Sequence, residues 1–164
     1  MHLLLSQSTR FNKPSSKNNK TGQYTLKTQA YLKGSPKEIF SFFISPLNLG
    51  LTTPSWLDFK ILSMPQELKA GALIVYTIKL WIFRLKWTTQ IIEWSPENYF
   101  VDFQEKGPYT LWFHRHEISS VGPNLSLMED TVTYKVPFGI IGRIIHKILI
   151  KSTLLRIFRF RQSV

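Results

Sequence analysis

The segment Gly107-Pro108-Tyr109-Thr110-Leu111-Trp112-Phe113-His114-Arg115-His116 sets two histidines two residues apart inside an aromatic run. Strands turn alternate side chains to opposite faces, so Trp112, His114 and His116 share one face, and Leu111, Phe113, Arg115 and Glu117 the other. In 125–136 the same alternation gathers Met128, Asp130, Val132, Tyr134 and Val136 on one face. Leu127, Glu129, Thr131, Thr133 and Lys135 share the other, wet face. Asp130 thus falls on an apolar face, where an unpaired carboxylate is costly. His114 or His116 on the adjacent strand is the obvious partner, and Asp102 and Gln104, on one face with Phe100, could join them.

Such a cluster has three uses. It can be a satisfied buried network that fixes a tautomer and stiffens the sheet. It can orient the polar end of a mostly apolar ligand. It can also be catalytic, with His114 or His116 as general base oriented by Asp130. No nucleophile accompanies it: the chain has no cysteine, and no serine lies in a recognisable elbow. Metal ligation by His114, His116 and Asp130 is geometrically possible, but two histidines two apart on a strand are a weak metal signature. The reading therefore includes no metal and no cofactor, and the stretch Phe138-Gly139-Ile140-Ile141-Gly142 is too sparse for a phosphate loop.

The elements that must hold these residues follow from periodicity. Residues 1–22, rich in Ser, Asn, Lys and Thr, read as a disordered basic tail, and 23–164 as one domain. A first strand spans 23–32. Ser35-Pro36-Lys37-Glu38 is a capping signature for a short helix that Pro46 closes, and 47–53 reads as a second helical turn. Strands follow at 56–63, 72–81, 84–94, 99–105, 109–119 and 125–136, joined by short turns that imply antiparallel pairing. After Pro137-Phe138-Gly139, a helix of roughly 20 residues carries Ile141, Ile144, Ile145, Ile148, Leu149 and Leu155 at helical spacing, expected against the sheet. The fold class is α+β: a curved seven-stranded antiparallel sheet around a long C-terminal helix, with two short helices after the first strand. An elongated cavity between sheet and helix is expected, and Trp81-Ile82-Phe83 makes an apolar hairpin tip that touches a membrane, guards the cavity mouth or packs at the rim.

The net charge of +11 is unevenly placed. Residues 1–37 and 131–164 each hold seven Lys/Arg and no acid, and the ten acids all lie between Glu38 and Asp130. Basic ends favour anionic surfaces, with nucleic acid the less expected one. No apolar run reaches the length of a membrane span. The absence of cysteine is compatible with a cytoplasmic protein, membrane-peripheral if its basic termini meet anionic lipid.

The chain resembles the START-like superfamily, also called SRPBCC or polyketide cyclase/dehydrase-like, and within it bacterial ligand-binding SRPBCC proteins. The residues that carry this are Thr53-Pro54, Trp87-Thr88, Trp94-Ser95-Pro96, Phe100-Val101-Asp102, Gln104, Gly107-Pro108-Tyr109, Trp112, His114, His116, Asp130, Val132, Tyr134 and Pro137-Phe138-Gly139. The resemblance implies a helix-grip fold with a hydrophobic ligand cavity, in a superfamily of lipid and sterol carriers, coenzyme Q binders, hormone receptors and aromatic cyclases. The expected function is non-catalytic binding or carriage of a lipid, quinone or polyketide-like molecule. Its walls would come from Ile74, Tyr76, Ile78, Trp112, Met128, Val132, Tyr134, Ile141, Ile145 and Ile148, and its polar end from His114, His116 and Asp130. The alternatives are a cyclase/dehydratase-type enzyme using the His/Asp cluster, and a peripheral membrane protein that binds a quinone or lipid.

Overall fold

The computed structural model describes residues 22–163, so all of the expected basic tail but Gly22 lies outside the described residues. Strand β1 (Gln23–Lys33) leads into helix α1 (Pro36–Phe43). The capping signature acts as expected: the Ser35 hydroxyl accepts the Glu38 N–H, and the Glu38 carboxylate accepts the Ser35 N–H at 2.8 Å. A 3-10 turn over Pro46–Leu49 and another over Ser55–Leu57 follow. The strand expected at 56–63 shrinks to β2 (Lys60–Ser63). Its first half is broken by Asp58, which takes a left-handed backbone (φ 40°) and pairs with Arg84.

Strands β3 (Leu73–Leu80), β4 (Phe83–Ser95), β5 (Tyr99–Lys106), β6 (Leu111–Gly122) and β7 (Leu125–Lys135) then run as a meander. The single antiparallel sheet has the order β1-β7-β6-β5-β4-β3-β2, so the long pairing of β1 with β7 brings the chain's start back to its last strand. The β5–β6 turn is clamped by Gln104, whose side-chain amide donates to the Tyr109 carbonyl at 2.7 Å and whose carbonyl accepts the Tyr109 N–H. Gln104 therefore shapes a turn and does not join the histidines. Two apolar clusters fill the concave side. One, around Trp87, Trp112, Val132, Tyr134, Leu154 and Phe158, lies under the C-terminal helix. The other, around Phe40, Ile74, Ile91, Phe100 and Met128, lies under α1.

The C-terminal helix is continuous but changes pitch. Helix α2 (Gly139–Ile145) passes through a π stretch (His146–Ile150) into α3 (Lys151–Ser163). Its inward side chains are Gly142, His146, Leu154 and Phe158, buried, with Ile150 half-buried. These fall every four residues, a spacing that drifts by about 40° per step on an α-helix, and the wider π turn takes up that drift. The stripe expected to face the sheet consequently points away from it. Ile141, Ile144, Ile148 and Leu149 are exposed, Ile145 is half-buried, and only Leu155 packs against the core.

Candidate functional site

Between the sheet and α3 lies a cavity of about 170 Å³, partly open to solvent. Its walls are apolar: Ile74, Tyr76 and Ile78 on β3, Trp87 and Ile91 on β4, Phe100 on β5, Trp112 on β6, and Leu154, Ile157 and Phe158 on α3. The segment between α1 and β2 closes one side with Leu49, Thr52, Thr53, Leu57 and Phe59. Polar groups enter at few places. Asp102, His114, His116 and Arg161 line it together, and the buried Trp87 indole N–H has no protein acceptor.

The register explains the polar group. Asp102 on β5 lies opposite His114 on β6, and His116 lies opposite Asp130 on β7, with all four on the concave face. The two imidazoles sit 3.7 Å apart between the carboxylates. His116 Nε2 is 2.8 Å from Asp102 and its Nδ1 is 2.7 Å from Asp130, the latter off the hydrogen-bond axis and so a charge contact. A ring with a carboxylate at each nitrogen is best satisfied as the imidazolium. Burial opposes that charge, yet the hydrogen bonds to Asp102 and Asp130 outweigh it and raise the His116 pKa above the ordinary histidine value. His114 donates from Nε2 to Asp130 at 3.0 Å and keeps its Nδ1 3.5 Å from Asp102. Burial, then the adjacent His116 charge, push its pKa down.

The carboxylates stay ionised despite burial. Asp102 is held below the usual range by the charges of the histidines and the His116 hydrogen bond. Asp130 is held well below it by the Arg161 guanidinium, then by both histidines. Two anions thus face Arg161 and one imidazolium, so the cluster is close to neutral overall, with His114 as its one uncharged titratable ring. Asp102, His114 and His116 also bring potential ligand atoms within 4.8 Å of one another, a spacing a metal ion could bridge. The same nitrogens and oxygens already neutralise each other, which is the use the geometry favours.

No protein-family model and no curated protein sequence matches the chain. Solved structures do. The Zhui aromatase/cyclase from Streptomyces sp. R1128 superposes with a TM-score of 0.69 at 9% identity, over 86% of this chain and 90% of that one. A START superfamily protein from Mycobacterium smegmatis gives 0.62 at 14%, over 85% and 94%. The helix-grip fold of the START-like superfamily is shown. Norcoclaurine synthase from Thalictrum flavum, in complex with dopamine and hydroxybenzaldehyde, gives 0.64 at 12%, over 96% and 95%. Identities this low carry the fold and leave function to the site.

Within the helix-grip frame, the expected site residues divide into three groups. Ile74, Tyr76, Ile78, Trp112, His114 and His116 line the cavity. Met128, Val132 and Tyr134 point to the same side of the sheet but are packed into the core, and Asp130 stands behind the histidines as their partner. Ile141, Ile145 and Ile148 do not reach the cavity, because α3 and not α2 lies over it. Arg161 and the Trp87 N–H escaped sequence reading: an arginine near the chain end carries no periodic signal, and a tryptophan's free N–H is visible only once its neighbours are known.

A second buried histidine site was also missed. The Tyr134 hydroxyl donates to His146 Nε2 at 2.7 Å, and Tyr24 stacks on the same ring at 3.5 Å. Burial lowers the His146 pKa to about 4. Because the folded value lies below the unfolded one, this histidine's contribution is whole above about pH 6.5 and is lost as pH falls towards about 4. His146→Phe should be less stable than wild type at pH 7, by about 1–2 kcal/mol for the orphaned Tyr134 hydroxyl. The gap should narrow on acidification, as read by urea unfolding at several pH values.

Proposed function

We propose that the protein binds a small, mostly apolar molecule with a polar oxygen, held in the cavity without covalent change. The observation that carries this is an apolar chamber whose few polar groups converge from one side. Trp87 offers an N–H with no protein acceptor, and His114, His116 and Arg161 line the wall. An acceptor oxygen on the ligand would satisfy Trp87, and the charge-balanced cluster would orient that end. A cavity of roughly 150 Å³ holds benzene, so the enclosed 170 Å³ fits a ring system or a short acyl chain, and a longer tail would lie in the open mouth. Quinones, polyketide-like phenols and fatty acyl groups share this chemistry.

A second reading has its own support. His116 favours the protonated form and His114 the neutral one, which sets a potential acid beside a potential base on the cavity wall. That pair suits a cyclase or dehydratase acting on a polyketide-like substrate.

Native mass spectrometry of freshly purified protein tests the binding reading. A stoichiometric adduct, identified after extraction, is the expected result, and Trp87→Phe should weaken rebinding of that compound by about tenfold, close to one hydrogen bond. Recovery of a chemically altered compound after incubation, abolished by His114→Phe, would replace carriage with catalysis.

A further inference from the structure

Strand register places several separate loops along one edge of the sheet. Leu80 pairs with Phe83 around the β3–β4 tip, Thr88 with Lys106 at the end of β5, and Lys135 with both Leu111 and Gln23. The hairpin tip, the β5–β6 turn, the end of β7 and the start of α2 therefore share this edge. Two apolar protrusions rise from it. At the tip, Trp81 and Phe83 are exposed and Ile82 is 82% exposed. At the helix start, Phe138 is 76% exposed, and Ile140, Ile141, Ile144 and Ile148 continue the exposed face.

Backbone conformation marks the same two places. Trp81 and Phe138 are both left-handed, at φ 54° and 69°. Bulky residues seldom adopt that region, and its cost is usually borne where function needs it. Here it turns aromatic rings outwards at both ends of one edge. The intervening charge is basic. Lys79, Lys106, Lys135, Arg143 and Lys147 are all exposed, against Glu105, while Asp58 is taken up by Arg84 and Lys60.

We propose that this edge is a docking surface for an anionic phospholipid bilayer, with the Trp81–Phe83 tip and the Phe138–Ile148 face inserted and the lysines and arginines at headgroup level. Apolar side chains flanked by basic ones are what an interfacial helix requires. A second copy of this chain would bring the same positive sign against itself. Leu80 and Tyr109, on this edge, also line the cavity, so docking sets the chamber's end against the membrane. The inference does not depend on what occupies the cavity.

Co-sedimentation of the full chain with vesicles tests it, comparing pure phosphatidylcholine with phosphatidylcholine containing about one-third phosphatidylglycerol. The expected result is binding to the anionic vesicles alone, weakened by salt. Ile82→Glu and the double variant Ile144→Glu/Ile148→Glu should each weaken partitioning about tenfold or more, since each puts charge in the apolar layer. All three positions are solvent-exposed, so the circular dichroism melting curve should not change, and the two variants probe separate protrusions. Wild-type protein that ignores anionic vesicles overturns the proposal. Binding that is equal in both variants also overturns it, and assigns the attraction to the basic termini. So does a stable dimer that Ile148→Glu dissociates and that shows no vesicle binding, which would make the face a contact between copies.

Discussion

Asp130→Ala lowers the free energy of unfolding by about 3–5 kcal/mol, the largest loss expected from a single polar substitution here. The carboxylate is the shared partner of both histidines, 3.0 Å from His114 Nε2 and 2.7 Å from His116 Nδ1, and it answers the charge of Arg161. Without it, a buried imidazolium and a guanidinium face Asp102 alone. His116 then has less reason to be charged, so its pKa falls from its raised value towards or below the ordinary one. The raised native pKa stabilises wild type fully below about pH 6.5 and loses that stabilisation as pH rises through it. The depressed Asp102 and Asp130 values act in the opposite direction: their contribution is complete above about pH 4 and fades as acid protonates them in the fold. Urea unfolding from pH 3 to 9 should show both flanks shallower in Asp130→Ala, and a histidine NMR titration should show His116 moved down. A loss below about 1 kcal/mol would mean that the cluster is hydrated rather than tightly coupled.

Gly142→Ala should cost about 3 kcal/mol or more, although alanine is the better helix former. Gly142 is buried, and a methyl group there would run into the Pro137 carbonyl oxygen while pressing on Val136. The obstacle is backbone and cannot swing aside. Relief requires moving the start of the helix, which would disturb His146 and its contact with Tyr134. Gly139→Ala is the control. It has open space around its missing Cβ but a left-handed φ of 52°, so the expected loss is only about 1 kcal/mol of backbone strain. A thermal melt of the two variants should rank Gly142→Ala well below Gly139→Ala; the reverse order would mean that the helix start is free to shift.

The sequence made the sheet readable because its strands alternate cleanly. Asp130 stands out between Met128 and Val132, and that contrast alone identified the cluster before any partner was known. The strand expected at 56–63 failed for a local reason: Asp58, paired with Arg84, holds a left-handed turn that overrides the apolar pattern of Trp56-Leu57 and Phe59. The C-terminal helix failed for a different one. A stripe drawn at 3.6 residues per turn assumes constant pitch, and the π stretch invalidates that assumption midway. The inward residues are also less uniformly apolar than the outward ones, since Gly142 and His146 face the sheet where Ile141, Ile144 and Ile148 do not. Hydrophobicity was a poor guide to burial along that helix.

The π stretch separates two sets of design demands on one continuous rod. Upstream of it, residues on the outer face can drift between isoleucine, leucine and lysine without altering the chamber's wall; downstream, Leu154, Ile157 and Phe158 can be resized for another guest without altering the surface. Deleting a single residue within 146–150 would restore ordinary pitch and rotate α3 by roughly 100° relative to α2. That rotation would exchange wall for surface in one step, so the register of these five residues is a point where a one-codon loss has the reach of a repacked core.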